Sequence, residues 1–133
     1  MFGIPDTHLD LLADETRSFA FLATTMDDGS PQVTPIWFNT DGDDILINSA
    51  QGRVKDRNMR ARPQIAMAIV DPKNPYRYMQ IRGRVVEMNT ENGWAHIDAL
   101  AKKYTGSDHF TPNSDDEIRV VYRVRLERVH VTG

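Results

Sequence analysis

Short turn sequences separate the apolar segments in the first half of this chain. Asp27-Asp28-Gly29-Ser30 and Thr40-Asp41-Gly42-Asp43 each join two apolar runs, and Gly at such positions supplies the positive φ that tight hairpins need. Parallel strands require a crossover of about a dozen residues or more, usually a helix, and these connections are too short for one. The spacing therefore predicts a mainly β, antiparallel fold, and so many close connections are typical of a β-barrel.

The apolar and alternating runs predict six strands, with two or three helices at the margins of the barrel. The second strand contains Pro35, which cannot donate to a ladder, so a bulge or an exposed edge is expected there. The last strand changes phase before Val129, which predicts another bulge. The predicted strands span residues 19–26, 31–39, 45–47, 64–70, 76–88 and 118–131, and the predicted helices span residues 7–17, 53–62 and 90–104.

The composition is that of one ordinary globular domain, residues 1–133, with 40% apolar residues. The chain has no Cys, which excludes disulfides and thiolate metal sites. No run approaches the roughly 20 apolar residues that a transmembrane helix needs, and the N-terminal segment lacks the features of a signal peptide. We therefore expect a cytoplasmic protein with no membrane partner.

Basic residues are concentrated in one part of the sequence. Residues 53–87 hold nine Lys or Arg against three Asp or Glu, a balance of +6, so the other 98 residues carry −9 within the net charge of −3. The basic part begins where an apolar strand ends in Asn48-Ser49, turns at Gly52 and enters the predicted helix with Arg53 and Lys55. Free N–H groups and the positive end of the helix dipole favour an anion at such a junction. An acidic chain with one basic patch favours a small anionic ligand over nucleic acid, with a solvated helix face as the alternative.

Two further segments are suited to a flat ligand. The segment Thr34-Pro35-Ile36-Trp37-Phe38 lies one turn and one strand before the basic part, so pairing of neighbouring strands would bring its backbone near the anion site. Gln80, Arg82 and Arg84 share one face of a long strand. Both assignments have alternatives that stay open: the aromatics also suit a core or barrel surface, and the polar face also suits simple solvation.

No protein group identifies itself as a catalyst. The four His residues are scattered, and the spacing of His96 and Asp98 is wrong for a shared metal on a helix. The sequence has no Ser-His-Asp arrangement, nucleophile elbow or glycine-rich phosphate loop. An anion site without a nucleophile or metal indicates a cofactor that carries its own chemistry.

Four segments in a fixed order resemble the pyridoxamine 5′-phosphate oxidase-like split β-barrel superfamily. They are GSPQVTPIWF (29–38), INS (47–49), RVKDRNM (53–59) and YMQIRGRV (78–85). Within the superfamily the chain most resembles the small flavin/deazaflavin oxidoreductases of the B type, and the resemblance runs from Phe19 to the last strand. It implies a homodimer of six-stranded antiparallel split β-barrels with two cofactor sites at the subunit interface.

The resemblance also implies roles for individual residues. The cofactor phosphate would be held by the segment Arg53, Val54 and Lys55, with Asn48 and Ser49 beside it. The tricyclic ring would face the backbone of Thr34, Pro35, Ile36 and Trp37, and Gln80 would assist from an adjacent strand. Arg57 also matches the family pattern, with either a binding or a structural role.

Coenzyme F420, an 8-hydroxy-5-deazaflavin, is the cofactor that the resemblance favours, and FMN is the alternative because both carry a phosphate. F420 also has an acidic oligoglutamate tail, for which the arginines of residues 57–84 are candidate partners. The expected reaction is hydride transfer from the reduced cofactor to a conjugated small-molecule acceptor. The alternatives are a flavin or haem carrier without turnover, and a nucleic-acid binder that uses Tyr76 and Tyr78, which the net charge of −3 disfavours.

Overall fold

The structure is a computed structural model, and it describes residues 3–133. One antiparallel sheet of seven strands has the order β2-β1-β5-β6-β7-β4-β3. Helix α1 connects β4 to β5, and α2 connects β6 to β7. The elements are β1 (Phe19–Thr25), β2 (Pro31–Ile36), β3 (Phe38–Asp41), β4 (Asp44–Ala50), α1 (Val54–Ala61), β5 (Gln64–Asp71), β6 (Asn74–Asn89), α2 (Gly93–Thr105) and β7 (Arg119–Thr132).

The sheet curls because its two edge strands are consecutive in the chain. β2 pairs with β1 and β3 pairs with β4, yet only Trp37 separates Ile36 at the end of β2 from Phe38 at the start of β3. Two steps between consecutive Cα atoms cover no more than about 7.6 Å, so the two edges must lie side by side at this point. The fold is therefore mainly β and consistent with a split barrel. The prediction of six strands is wrong, because residues 31–39 leave one edge of the sheet and join the other at Trp37.

The N-terminal helix predicted over residues 7–17 is also wrong in type. Two 3₁₀ turns, Asp6–Leu12 and Asp14–Thr16, take its place, and Ala13 between them has extended backbone with φ −69° and ψ 143°. The first turn still buries Leu11 and Leu12 in the core. Burial of these side chains therefore does not require the longer helix.

The two expected irregularities of the strands are confirmed. Pro35 lies on β2, an edge strand of the described sheet, where its missing N–H interrupts no second ladder. In β7, Arg128 faces Arg82 whereas Leu126 faces the next residue of β6, Gly83. Glu127 is thus the extra residue of a bulge, and it changes the phase of the strand as the sequence pattern predicted.

The core lies inside the curl. Alternate residues of β4, β6 and β7 point inward and are fully buried, as the alternation of apolar and polar residues dictates. The largest of them include Ile45, Ile47, Met79, Ile81, Val120 and Tyr122. Within residues 3–133, every helix is too short or too polar to cross a bilayer.

Candidate cofactor site

The connection from β4 to α1 is shaped to receive an anion. Gly52 has φ 91°, a conformation that favours glycine, and the Arg53 N–H donates to the Ala50 carbonyl at 3.3 Å. Arg53 is the N-cap residue of α1, and no side chain caps this helix end. The first N–H groups of α1 therefore lack intrahelical and side-chain acceptors, and the positive end of the helix dipole adds to their attraction for an anion.

A buried carboxylate holds this turn in place. Asp56 is 1% exposed and accepts hydrogen bonds from the Gly52 N–H at 2.9 Å, from Arg60 Nε at 3.1 Å and from the Tyr122 hydroxyl. Burial favours the neutral carboxyl, but the bonds from Gly52, Tyr122 and Arg60 outweigh it, so the pKa of Asp56 is lowered. Burial and the neighbouring carboxylate raise the pKa of Tyr122, which stays a neutral donor. The turn is thus tied to both α1 and β7.

Three cations meet beside the turn. Lys55 Nζ lies 3.4 Å from Thr34 Oγ1 on β2, and burial together with the charges of Arg53 and Arg119 lowers the pKa of Lys55. Glu117 pairs with Arg53 at 3.2 Å and with Arg119 at 3.6 Å, whereas Lys55 has no ion pair with any residue in the range 3–133. Three positive charges against one paired carboxylate leave a surplus of +2 at this place.

Arg119 is the functional candidate that sequence reasoning missed. On β7 it alternates with apolar residues and resembles a surface arginine, yet it is 4% exposed. Its Nε donates to Asn48 Oδ1 at 2.9 Å, and its Nη1 has no hydrogen-bond partner among the described residues. Arg119 pairs across the sheet with Ala50 at the end of β4, which places it next to the turn at Gly52. Only the strand pairing reveals this proximity, so no signal in the sequence marks it.

Asn48 belongs to a buried hydrogen-bond network. Its amide group donates to the Gly93 carbonyl and contacts His96 Nδ1, both at 3.0 Å, and His96 Nε2 lies 2.8 Å from Asn39 Oδ1. Burial and the charge of Arg119 lower the pKa of His96 to about 4, so the ring is neutral at pH 7. A Cβ on Gly93 would lie 1.9 Å from the Arg119 carbonyl oxygen, which is why α2 begins with glycine here. The side chain of Asn48 is thus engaged within the protein and orients Arg119.

A pocket of about 280 Å³ adjoins the cations. Trp37 forms one wall, stacked on Tyr104 at 5.2 Å with an interplanar angle of 7°, and Phe110 meets Trp37 edge-on at 6.1 Å. Arg53 and Arg119 lie at the polar end. The volume is at the lower end of the range for small-molecule pockets. The complete lining is Phe19, Pro35, Ile36, Trp37, Asn48, Arg53, Ile97, Leu100, Phe110 and Arg119.

The structure brings most of the predicted residues together but separates one of them. The segment 34–37, Asn48 and the start of α1 with Arg53, Val54 and Lys55 surround the turn and pocket. Ser49 is buried beside them with no hydrogen-bond partner for its Oγ in the described structure. Arg57 is exposed on α1.

Gln80 lies away from this site. Pro35, Phe21, Ala68 and Gln80 are opposite one another on four successive strands, β2, β1, β5 and β6. Three strand spacings separate Gln80 from Pro35, roughly 14 Å. Gln80 therefore does not reach the cation cluster of its own chain.

Comparison with known proteins gives one family match and several structural matches. The family model described as pyridoxamine 5′-phosphate oxidase matches residues 4–133. An F420 reductase of known structure is 34% identical, with a TM-score of 0.83, and the match covers 96% of this chain and 98% of that one. No curated protein matches the sequence.

Two more distant solved structures share the fold. A conserved hypothetical protein from Mycobacterium tuberculosis is 19% identical, with a TM-score of 0.72 and coverage of 97% of this chain and 84% of that one. HupZ from Group A Streptococcus is 21% identical, with a TM-score of 0.67 and coverage of 96% and 93%. At these identities the likeness concerns the fold alone.

Proposed function

Because this chain belongs to the pyridoxamine 5′-phosphate oxidase family, we propose that it is an oxidoreductase that binds coenzyme F420 and transfers a hydride between this deazaflavin and a conjugated organic acceptor. The similar F420 reductase, matched over nearly the whole of both chains, supports this choice of cofactor. The observation that carries the proposal is the surplus of two positive charges at the uncapped start of α1, next to the edge strand β2.

The cation cluster fits a phosphate. Lys55 has no carboxylate partner within the described residues, and its 3.4 Å distance to Thr34 Oγ1 is long for a hydrogen bond, so its ammonium group is available. Arg53 is adjacent in the sequence and shares only one oxygen of Glu117. The free N–H groups of α1 add donors of the kind that bind phosphates at helix starts.

The strand β2 fits the edge of a flat ring. It is the last strand at one end of the described sheet, so one side of its backbone has no strand partner. Backbone groups of residues 34–36 are therefore open to the heteroatoms of a ring whose phosphate lies at Lys55. When bound, the deazaflavin supplies the hydride chemistry.

The protein positions the cofactor and the acceptor and excludes water from them, and it supplies no general acid or base. Trp37 and Phe110 cover the pocket with apolar surface, and removal of water strengthens the electrostatic interactions inside it. Tyr104 is the nearest phenol, but its hydroxyl donates to the Ser18 carbonyl at 2.6 Å, and burial raises its pKa to about 12. We therefore assign Tyr104 to holding Trp37 in place and not to proton transfer.

We also propose that the protein is a homodimer with the cofactor at the interface. The outer face of β1 and β2 exposes Phe19, Phe21 and Val33, the last with 64% exposure, around the small residues Ala23 and Ala68. An apolar face of this kind is typical of a protein interface. In such a dimer, Gln80 of each subunit would contribute to the cofactor site of the other subunit, because it does not reach the site of its own chain.

Sedimentation equilibrium at micromolar concentration tests the dimer. The wild-type protein is expected to sediment as a dimer, and Val33→Glu, which places a charge in the apolar face, is expected to shift it toward monomer. Thr90→Glu, at an exposed position between β6 and α2, serves as the control. A wild-type monomer would contradict the interfacial site.

Calorimetric titration with F420 and with FMN tests the phosphate anchor. Lys55→Ala and Arg53→Ala are each expected to weaken cofactor binding by about 1–3 kcal/mol, the scale of a hydrogen bond to a charged group. Lys102→Ala removes an exposed lysine of α2 that pairs with surface Asp108 and is expected to leave binding unchanged. Unchanged affinity in both Lys55 and Arg53 variants would refute the anchor.

The choice between F420 and FMN depends on cations beyond the phosphate site. Arg60 is engaged by Asp56, which leaves less cationic surface on α1 than the sequence suggests. On the outer face, however, Arg82 lies opposite Arg128 and Arg84 opposite Arg125. Like charges in opposite positions destabilise a sheet. Glu127 lies 3.9 Å from Arg84 and offsets part of this repulsion, so acidic tail carboxylates would mainly relieve the repulsion between Arg82 and Arg128.

Titration at increasing ionic strength separates the two cofactors. F420 is expected to bind more tightly than FMN at low salt, and the difference should narrow as salt screens exposed charges over about 8–10 Å. Equal affinities, or preference for FMN at every ionic strength, would identify the chain as an FMN-binding relative. Oxidation of reduced F420 by a panel of conjugated acceptors then separates an enzyme from a carrier that binds without turnover.

A further inference from the structure

We propose that the pocket between Trp37 and Phe110 binds the acceptor, and that this acceptor is a planar apolar compound with a carboxylate held by Arg119. The inference deepens the proposed function and rests on it for the identity of the cofactor. Arg119 lines this pocket, whereas Lys55 and Thr34 do not. Arg53 belongs to the phosphate anchor and also lines the Arg119 pocket, so the two adjoin at this residue.

Arg119 is held ready for a ligand. Its Nε is fixed by Asn48 at 2.9 Å, and Asn48 is itself fixed by the Gly93 carbonyl and His96. The guanidinium group lies 5.0 Å from the centre of the Phe110 ring. Nη1 is buried and makes no hydrogen bond in the described structure, and its ion-pair partner Glu117 Oε2 lies 3.6 Å away. A ligand oxygen that displaces Glu117 can therefore gain a hydrogen bond to a charged donor. Few side-chain degrees of freedom remain to be lost when a ligand binds, which favours affinity.

The charge balance allows a second anion at this place. The three cations exceed the paired carboxylate of Glu117 by +2, and the start of α1 adds roughly half a positive charge. A phosphate diester carries one negative charge, so about one and a half positive charges remain for a carboxylate. Glu117 lies 3.6 Å from Arg119 Nη1 and opposes this binding, but it also pairs with Arg53 and does not neutralise both arginines.

The rest of the pocket selects an apolar, flat body. Trp37, Phe110, Ile97 and Leu100 offer aromatic and aliphatic surface, and aromatic rings at this spacing favour stacked or edge-on contacts with another ring. A volume of about 280 Å³ is too small for a large polycyclic compound. One ring or two fused rings with a single carboxylate is the class of acceptor that fits.

Two isosteric probes test this inference on the protein loaded with F420. Calorimetric titration would compare 2-naphthoate with neutral 2-naphthamide, and quenching of Trp fluorescence in a Trp94→Phe background would report occupancy beside Trp37. Wild-type protein is expected to prefer the carboxylate by roughly 10- to 100-fold, the scale of a hydrogen bond to a charged group. Arg119→Gln is expected to abolish this preference. F420 affinity is expected to fall by a smaller factor, because the variant removes one charge of the cluster and leaves Arg53 and Lys55 in place. Arg125→Gln, an exposed arginine on the same strand, is expected to retain the preference.

Each outcome is decisive for the inference. Equal binding of both probes to wild-type protein would overturn it without any variant, and so would a preference that persists in Arg119→Gln. If Arg119→Gln loses F420 as strongly as naphthoate, Arg119 belongs to the cofactor site and the inference fails. If the glutamine variant does not fold, Arg119→Lys replaces it in the test. This variant keeps the charge but not the planar fork, and it should retain part of the preference. If the protein does not bind F420, the same titration is made on the unloaded protein. A carboxylate preference in that case would refute the proposed function and support the Arg119 site.

Discussion

Removal of the carboxylate of Asp56 should loosen the turn at Gly52 and should also lower the free energy of unfolding. In the structure this buried group accepts from the Gly52 N–H, from Arg60 and from the Tyr122 hydroxyl, and so connects the turn, α1 and β7. Asp56→Ala leaves a buried phenol and the turn amide without their acceptor. Tyr122→Phe removes one donor and leaves the other two bonds in place.

The expected magnitudes follow from the environment of each donor. Loss of the bonds from Tyr122 and Gly52 to a charged acceptor costs about 1.5–3 kcal/mol each, whereas the half-exposed Arg60 contributes only about 0.3–0.5 kcal/mol. Asp56→Ala should therefore lower the free energy of unfolding by about 3–6 kcal/mol, and Tyr122→Phe by about 1.5–3 kcal/mol. The double variant should cost little more than Asp56→Ala alone, because both changes remove the same bond.

Urea unfolding of the four proteins measures these free energies, and titration with F420 measures the effect on the turn. Asp56→Ala is expected to weaken F420 binding even where the protein is fully folded, because the N–H groups of the turn lose their fixed orientation. Asp115→Asn, in the exposed loop before β7, is the matched control. Additive losses in the double variant, or full F420 affinity in folded Asp56→Ala, would refute the argument that Asp56 positions the turn.

Two further predictions concern the network behind Arg119. His96 has a pKa of about 4 in the folded protein, against 6.5 in the unfolded chain. Its contribution to the free energy of unfolding is therefore fully present above pH 6.5, and about 3 kcal/mol is lost as the pH falls toward 4. His96→Gln should flatten this decline in urea unfolding at a series of pH values, whereas the exposed His130→Gln should retain it; an unchanged profile in His96→Gln would contradict the assignment. Gly93→Ala should lower the melting temperature strongly, because the new Cβ would lie 1.9 Å from the Arg119 carbonyl oxygen. The control is Ala99→Gly, an exposed change on the same helix that costs about 1 kcal/mol and should have a much smaller effect. Equal effects of the two changes would refute the close approach.

Local patterns in the sequence determine most of the strands. The hairpin turns, the alternation of β7 and the phase change at Glu127 each depend on residues close together in the chain, and the structure confirms the antiparallel pairing and the bulge. The segment 31–39 reads as one strand because its residues favour extended backbone throughout. Its division at Trp37 depends on which distant strand lies beside each half, so local propensity does not show it.

The same difference separates the two halves of the site. The turn at Gly52 with Arg53 and Lys55 is a contiguous segment, and its helix start and charge follow from the sequence by itself. Arg119 reads as a surface residue because the sequence gives the polarity of a side chain but not what packs over it. Only the tertiary structure decided that β7 pairs with β4 and that α2 and Phe110 cover this arginine. The burial of Arg119 and the charge balance around it result from contacts between residues that are far apart in the chain, such as the hydrogen bond from Arg119 to Asn48, about 70 positions away. Such contacts exist only once the sheet has formed.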